Sequence, residues 1–135
     1  MTKHDIAAYV GARLDCSFSE PFEALCTVRD GRLMAGAVFT GYTGANIDVT
    51  IAGEPGAYWR PLLRGMADYV FRQLGCTRMS AMTEQRKVAK MCLRLGAQTE
   101  GRLRDYYGVG RDAIVLGFLS REQRLDAKPI PAPRS

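Results

Sequence analysis

Residues Asn46-Ile47-Asp48-Val49-Thr50-Ile51 alternate strictly between polar and apolar side chains. That period of two is a strand. After a break at Gly53-Glu54-Pro55-Gly56 the period becomes helical: Leu62, Leu63, Met66, Tyr69, Val70 and Leu74 share one face between Trp59 and Leu74. Pro61 suits the first turn of that helix and Gly75 the position after its last. A short strand, Thr77 to Met82, follows. Strand, helix and strand in this order form a crossover unit whose two strands run parallel. A parallel pair has to be covered by helices, so the chain is constrained to a mixed α/β sheet.

The flanking segments fill in that sheet. Ile6, Ala7, Val10 and Leu14 lie at helical spacing in Lys3 to Leu14. Phe22 to Val28 and Leu33 to Tyr42 read as strands around the hairpin turn Asp30-Gly31. Thr83 is placed to cap a helix carrying Val88, Met91, Cys92 and Leu95, which Gly96 ends. Gln98 to Tyr107 and Asp112 to Leu119 are two closing strands. The expected order is α-β-β-β-α-β-α-β-β: about six strands, helices on both faces, one domain over 1–126. The last nine residues, 127–135, hold three prolines and no period, and are expected to be disordered.

With 135 residues, 47% of them hydrophobic and 24% charged, the chain has globular composition. No apolar run approaches the ~18 residues of a membrane span, and the first residues lack the apolar core of a secretion signal. The four cysteines, Cys16, Cys26, Cys76 and Cys92, include no Cys-x-x-Cys pair, and His4 is the sole histidine. The reading is therefore reduced thiols, a cytoplasmic setting, no metal and no membrane partner. A net charge of +5 favours anions such as a phosphate-bearing cofactor, an acidic substrate or nucleic acid, and serves solubility equally well.

The junction Ile51-Ala-Gly-Glu-Pro-Gly-Ala-Tyr-Trp-Arg60 joins a strand to a helix start through a glycine-bearing loop. Free backbone N–H groups and the helix dipole make such a place receptive to phosphate. It is neither a Walker A loop nor Gly-x-Gly-x-x-Gly. With this junction go Tyr58-Trp-Arg-Pro-Leu-Leu-Arg-Gly-Met-Ala-Asp-Tyr-Val-Phe-Arg-Gln-Leu-Gly75, Thr83-Glu-Gln-Arg-Lys-Val-Ala-Lys-Met-Cys-Leu-Arg-Leu-Gly96 and Glu100-Gly-Arg-Leu-Arg-Asp105. In their order and spacing, Asn46 to Leu119 resembles the GNAT superfamily of acyl-CoA-dependent N-acyltransferases, and most of all its short phage and prophage members.

The resemblance implies a sheet whose central parallel strands splay to admit CoA. It implies acetyl, or another acyl group, passing from CoA to an amine on a small molecule or protein, and a possible homodimer. Against the family's Arg/Gln-x-x-Gly-x-Gly/Ala loop this chain sets Glu54, Ala57 and Trp59. The pyrophosphate would meet the amides of Gly56, Ala57, Tyr58, Trp59 and Arg60. The pantetheine arm would follow Val49, Ile51 and Ala52, with Gln85, Arg86 and Lys90 on the next helix as further cofactor contacts. Asp48, opposite Ile47, Val49 and Ile51 on its strand, is the candidate general base, with Glu23 a lesser one. Cys92 stands where the family carries the tyrosine that protonates the leaving thiolate.

Each assignment has a plainer counterpart. Asp48 also reads as a solvated strand charge, and Cys92 as a small core side chain beside Val88 and Leu95. Arg86, Lys90 and Arg94 form a basic stripe that equally suits a solvated face. Arg102, Arg104 and Arg111 beside Tyr106 and Tyr107 are the only hint of nucleic acid, and no nucleic-acid module surrounds them. The alternative to an enzyme is a non-catalytic GNAT-like interaction module that binds CoA or nothing.

Overall fold

The computed structural model describes residues 1–54, 57 and 59–126. Its elements run α1 (Lys3–Leu14), β1 (Glu23–Arg29), β2 (Arg32–Thr40), β3 (Asn46–Gly53), α2 (Arg60–Ala67), β4 (Arg78–Thr83), α3 (Arg86–Arg94), β5 (Gln98–Leu103) and β6 (Ala113–Leu119). The six strands form one sheet in the order β1-β2-β3-β4-β6-β5. β3 and β4 are parallel, and every other neighbouring pair is antiparallel. This is the mixed α/β sheet that the crossover unit requires.

Helices cover both faces. Alternation along β3 sends Ile47, Val49 and Ile51 into the larger core, with Leu62, Leu63 and Met66 of α2 and Val88, Ala89 and Cys92 of α3. On the opposite face Ala52 and Val38 meet Ile6, Ala7, Val10 and Leu14 of α1. That helix starts on a reciprocal cap: the Asp5 N–H donates to Thr2 Oγ1 at 3.1 Å, and the Thr2 N–H to the Asp5 carboxylate at 3.0 Å. Gly36 lets α1 lie close, because a Cβ there would stand 2.9 Å from Val10 Cγ2 and 3.0 Å from Ile6 Cγ2.

Three local expectations change. The helix after β3 is regular only to Ala67, and Asp68–Gln73 is a wider π-helical turn. There the Leu74 N–H reaches the Tyr69 carbonyl at 2.9 Å. The turn keeps Val70 fully buried and Tyr69, Phe71 and Leu74 against the core. β5 stops at Leu103, because Asp105 takes a left-handed φ of 56° and the chain turns back. The helix cap is also displaced: Thr83 ends β4, its hydroxyl accepts the Gln85 N–H at 3.0 Å, and Gln85 is the residue that precedes α3. The proline-bearing tail, 127–135, lies outside the described residues.

One feature of the register positions the site. Parallel rungs join β3 to β4 from Asn46–Arg78 to Thr50–Met82 and then cease. Beyond that rung Ile51, Ala52 and Gly53 still pair with Ala37, Gly36 and Ala35 of β2, while Thr83 pairs with Ile114 of β6. The two parallel strands therefore part at their carboxyl ends, each held by its outer neighbour.

Candidate functional site

A cavity of about 490 Å³ opens where the strands part. Gly53, Glu54 and Trp59 form one wall, and Gln85, Arg86, Lys87, Val88 and Met91 of the α3 start form the other. Strand ends beside helix starts are the usual ligand position in open α/β sheets. Trp59 lies across the end of β3: a Cβ on Gly53 would stand 2.8 Å from its ring, so glycine is what admits the indole. Glu54, the acidic departure in the loop, is ion-paired with Arg13 of α1, and Arg32 Nη2 lies 3.6 Å from it. Two cations around this carboxylate offset the repulsion it would exert on a phosphate. Arg86 and Lys87 add positive charge at the rim.

The expected cofactor contacts divide. Gln85, Arg86 and Trp59 line the cavity. Arg60 is exposed at the first residue of α2, and Ala57 is buried, its N–H donating to the Glu54 carbonyl at 3.0 Å. Val49 and Ile51 point into the helix-covered core and Ala52 toward α1; Val49 is still paired with Ala81 of β4, so of the three only Ile51 and Ala52 offer a backbone edge to the cleft. Lys90 is exposed on α3 and is not among the lining residues. Gly56 and Tyr58 lie outside the described residues.

Asp48 stands on the face predicted for it, half-buried and opposite Ile47 and Val49. Its Oδ1 accepts from Asn46 Nδ2 at 3.0 Å. The Asn46 carbonyl oxygen accepts in turn from Ser80 Oγ at 2.8 Å and Arg78 Nε at 3.2 Å. Two donors on that oxygen fix the amide so that its NH2 points at the carboxylate. Arg78 is anchored by an ion pair with Glu100. A polar chain drawn from β5, β4 and β3 thus passes over Gly117 of β6 and ends on Asp48. Glu23 lies apart from this chain, at the start of β1.

Cys92 is 2% exposed within the core beside Val88 and Ala89, and burial pushes its thiol up to about 12. The thiol is packed away from both the cavity and Asp48, which is the plainer of its two readings. Between the usual value of 9.0 and about 12, unfolding releases this proton and folding retains it, so alkali costs stability in that window. At pH 8 native Cys92 is expected to resist iodoacetamide and to react fully in urea; mass spectrometry of the labelled peptides checks this.

Sequence patterning placed the turn between the two closing strands but missed what the residues of the β5–β6 loop bond to. Arg111 is not a free basic group. It donates to Glu84 at 3.2 Å, to Asp15 at 3.3 Å, to the Leu14 carbonyl at 3.1 Å and to the Tyr107 carbonyl at 3.3 Å. Arg102 likewise pairs with Asp112 at 3.5 Å. These neighbours take up charge that had read as a nucleic-acid patch. Arg111 instead ties the loop to the end of α1 and to the start of α3. Tyr106 is 48% exposed on this loop, and the partial burial of its ring, then the Asp48 carboxylate, raise its hydroxyl above the ordinary tyrosine range. Tyr107 packs on Met82 and Ala113, and its hydroxyl is buried with no hydrogen-bond partner among the described residues. An unpaired buried hydroxyl costs about 1–3 kcal/mol.

All four cysteines are free, and among the described residues no group of three His, Cys, Asp or Glu side chains is placed to hold a metal ion. Among them, too, no helix is long and apolar enough to cross a membrane.

No family model matches the sequence, and no curated protein matches it significantly. Solved structures do match its fold. The spermidine/spermine N-acetyltransferase of Vibrio cholerae superposes with a TM-score of 0.61 at 17% identity, over 76% of this chain and 67% of that one. The ribosomal-protein-S5-alanine acetyltransferase of Vibrio fischeri gives 0.61 at 18%, over 80% and 64%. A Desulfovibrio desulfuricans protein described as a GNAT-family acetyltransferase gives 0.53 at 22%, over 73% and 69%. The chain spans about two thirds of the length of these neighbours. Strand order, the parting of β3 from β4 and these superpositions agree that the chain has the fold of the GNAT-superfamily acetyltransferases.

Proposed function

We propose that this chain is an N-acyltransferase that moves an acetyl group from acetyl-CoA to a primary amine. The observation that carries the reading is the parting of β3 and β4 after the Thr50–Met82 rung, with a cavity of about 490 Å³ at their ends and Asp48 one residue short of Val49–Thr50 on the same strand. The residues present suit a CoA-type ligand. The backbone edge of Ile51 to Gly53 has no rung with β4 and can pair with an amide-bearing arm. Gln85, Arg86 and Lys87 offer an amide and two cations at the rim, and Trp59 offers an apolar wall.

When bound, acetyl-CoA would supply a thioester carbonyl carbon for attack by an amine nitrogen; a C–N bond would form as the C–S bond breaks, and CoA would leave as a thiolate that takes a proton from solvent. Asp48 takes the proton that the amine must lose, and Asn46 holds the carboxylate in one orientation for that task. Titration calorimetry with acetyl-CoA tests the reading, with saturable binding as the expected result. Release of CoA thiol should then follow addition of spermidine or of ribosomal protein S5, the acceptors for which two structural neighbours are named. No binding at millimolar acetyl-CoA would overturn the enzyme. It would favour an interaction module of GNAT fold, a reading to which the buried Cys92 lends support.

A further inference from the structure

We propose that the Tyr107 hydroxyl is the hydrogen-bond donor for the acyl carbonyl oxygen of the bound acyl-CoA. The inference rests on the acetyl-CoA reading and assigns to that site a residue from the β5–β6 loop. Tyr107 is 8% exposed, and its Oη is one of two buried side-chain polar atoms without a partner among the described residues. The other, Thr27 Oγ1, is on β1, three strands away from β4. Native structures leave few such atoms unpaired, and a missing ligand is one way to account for one.

Its place in the sheet says which ligand. The ring packs on Met82, with Ala113 and Val115 beside it. Met82 and Thr50 form the last rung before β3 and β4 part. The free edge of Ile51 to Gly53 leads from the cavity to that rung, and Asp48 follows two residues further along β3 on the face of Thr50. The Tyr107 ring, packed on Met82 of β4, and the candidate base on β3 thus lie close to the last rung before the strands part.

The ring is also held before any ligand arrives. The Tyr107 N–H donates to the Arg111 carbonyl at 3.0 Å, and the Tyr107 carbonyl accepts from Arg111 Nη1 at 3.3 Å. The Tyr106 ring meets it edge-on at 4.9 Å. A donor fixed in advance and shielded from water needs no reorganisation when charge builds on its acceptor. Burial, followed by Tyr106, Cys16 and Glu84, keeps this phenol protonated well above the ordinary tyrosine range. It acts as a neutral donor and does not give up its proton.

Tyr107→Phe keeps the ring and removes only the donor. Calorimetry should show acetyl-CoA binding weakened about 2–12-fold, the worth of one neutral hydrogen bond. Binding of CoA, which lacks the carbonyl, should be unchanged. The free protein should melt no lower than wild type, because the hydroxyl has no partner to lose. Equal acetyl-CoA affinity in the two proteins would overturn this inference and leave the acetyl-CoA reading standing. A free variant melting several degrees lower would also overturn it, since the hydroxyl would then be bonded without ligand. Failure of wild type itself to bind acetyl-CoA would overturn both.

Discussion

Asp48→Asn is expected to lower kcat about 10²–10⁴-fold, the usual loss when a positioned general base is removed, while acetyl-CoA binding stays as in wild type. The replacement matches in shape, and its amide oxygen can still accept from Asn46 Nδ2, so the chain through Ser80, Arg78 and Glu100 is preserved. What it loses is the ability to take a proton from the attacking amine. Asp48 stands on the α1 face of β3, away from the Gln85–Arg86–Lys87 rim, so calorimetric affinity for acetyl-CoA should not follow kcat down. Rates of CoA release measured beside affinity check both halves. Full turnover in Asp48→Asn would reduce Asp48 to a strand charge held by Asn46.

Phe118→Ala is expected to cost about 3–5 kcal/mol of folding stability. Phe118 is 1% exposed on β6, paired with Met79 of β4, inside the core that α2 and α3 close. Met79, Leu116 and Val70 in the same cluster are fully buried. A ring removed among such fixed neighbours leaves a cavity that the packed strands cannot close. A domain of this size has about 5–15 kcal/mol in total, so the variant should lose a large share of its stability. Urea unfolding measures the shift in midpoint. A change below 1 kcal/mol would mean that the core had refilled around the gap.

The elements themselves were legible because each rests on a local pattern. Strict alternation over Asn46 to Ile51 set the strand and the face of Asp48. Helical spacing set Lys3 to Leu14 to the residue, and the strand–helix–strand order set the parallel pair β3 and β4. Cys92 was readable as core for the same reason: its neighbours at helical spacing are apolar.

Partner choice was not legible. Glu54 read only as a departure from the family's Arg/Gln position, and the fold brings Arg13 to it from 41 residues away. Arg111 read as part of a basic patch, and its carboxylate partners, Glu84 and Asp15, lie 27 and 96 residues distant. Tyr107 read only as an aromatic beside a basic cluster, and the fold packs its ring on Met82 and leaves its buried hydroxyl without a partner among the described residues. Periodicity is a property of consecutive residues, so it reports which face a side chain takes. Which groups meet across that face depends on strand register and on where loops from distant segments converge. For this protein the sequence therefore determined the sheet, its crossover and the candidate base. Tertiary structure alone decided at which rung the strands part, which charges are neutralised and which buried hydroxyl is left without a partner among the described residues.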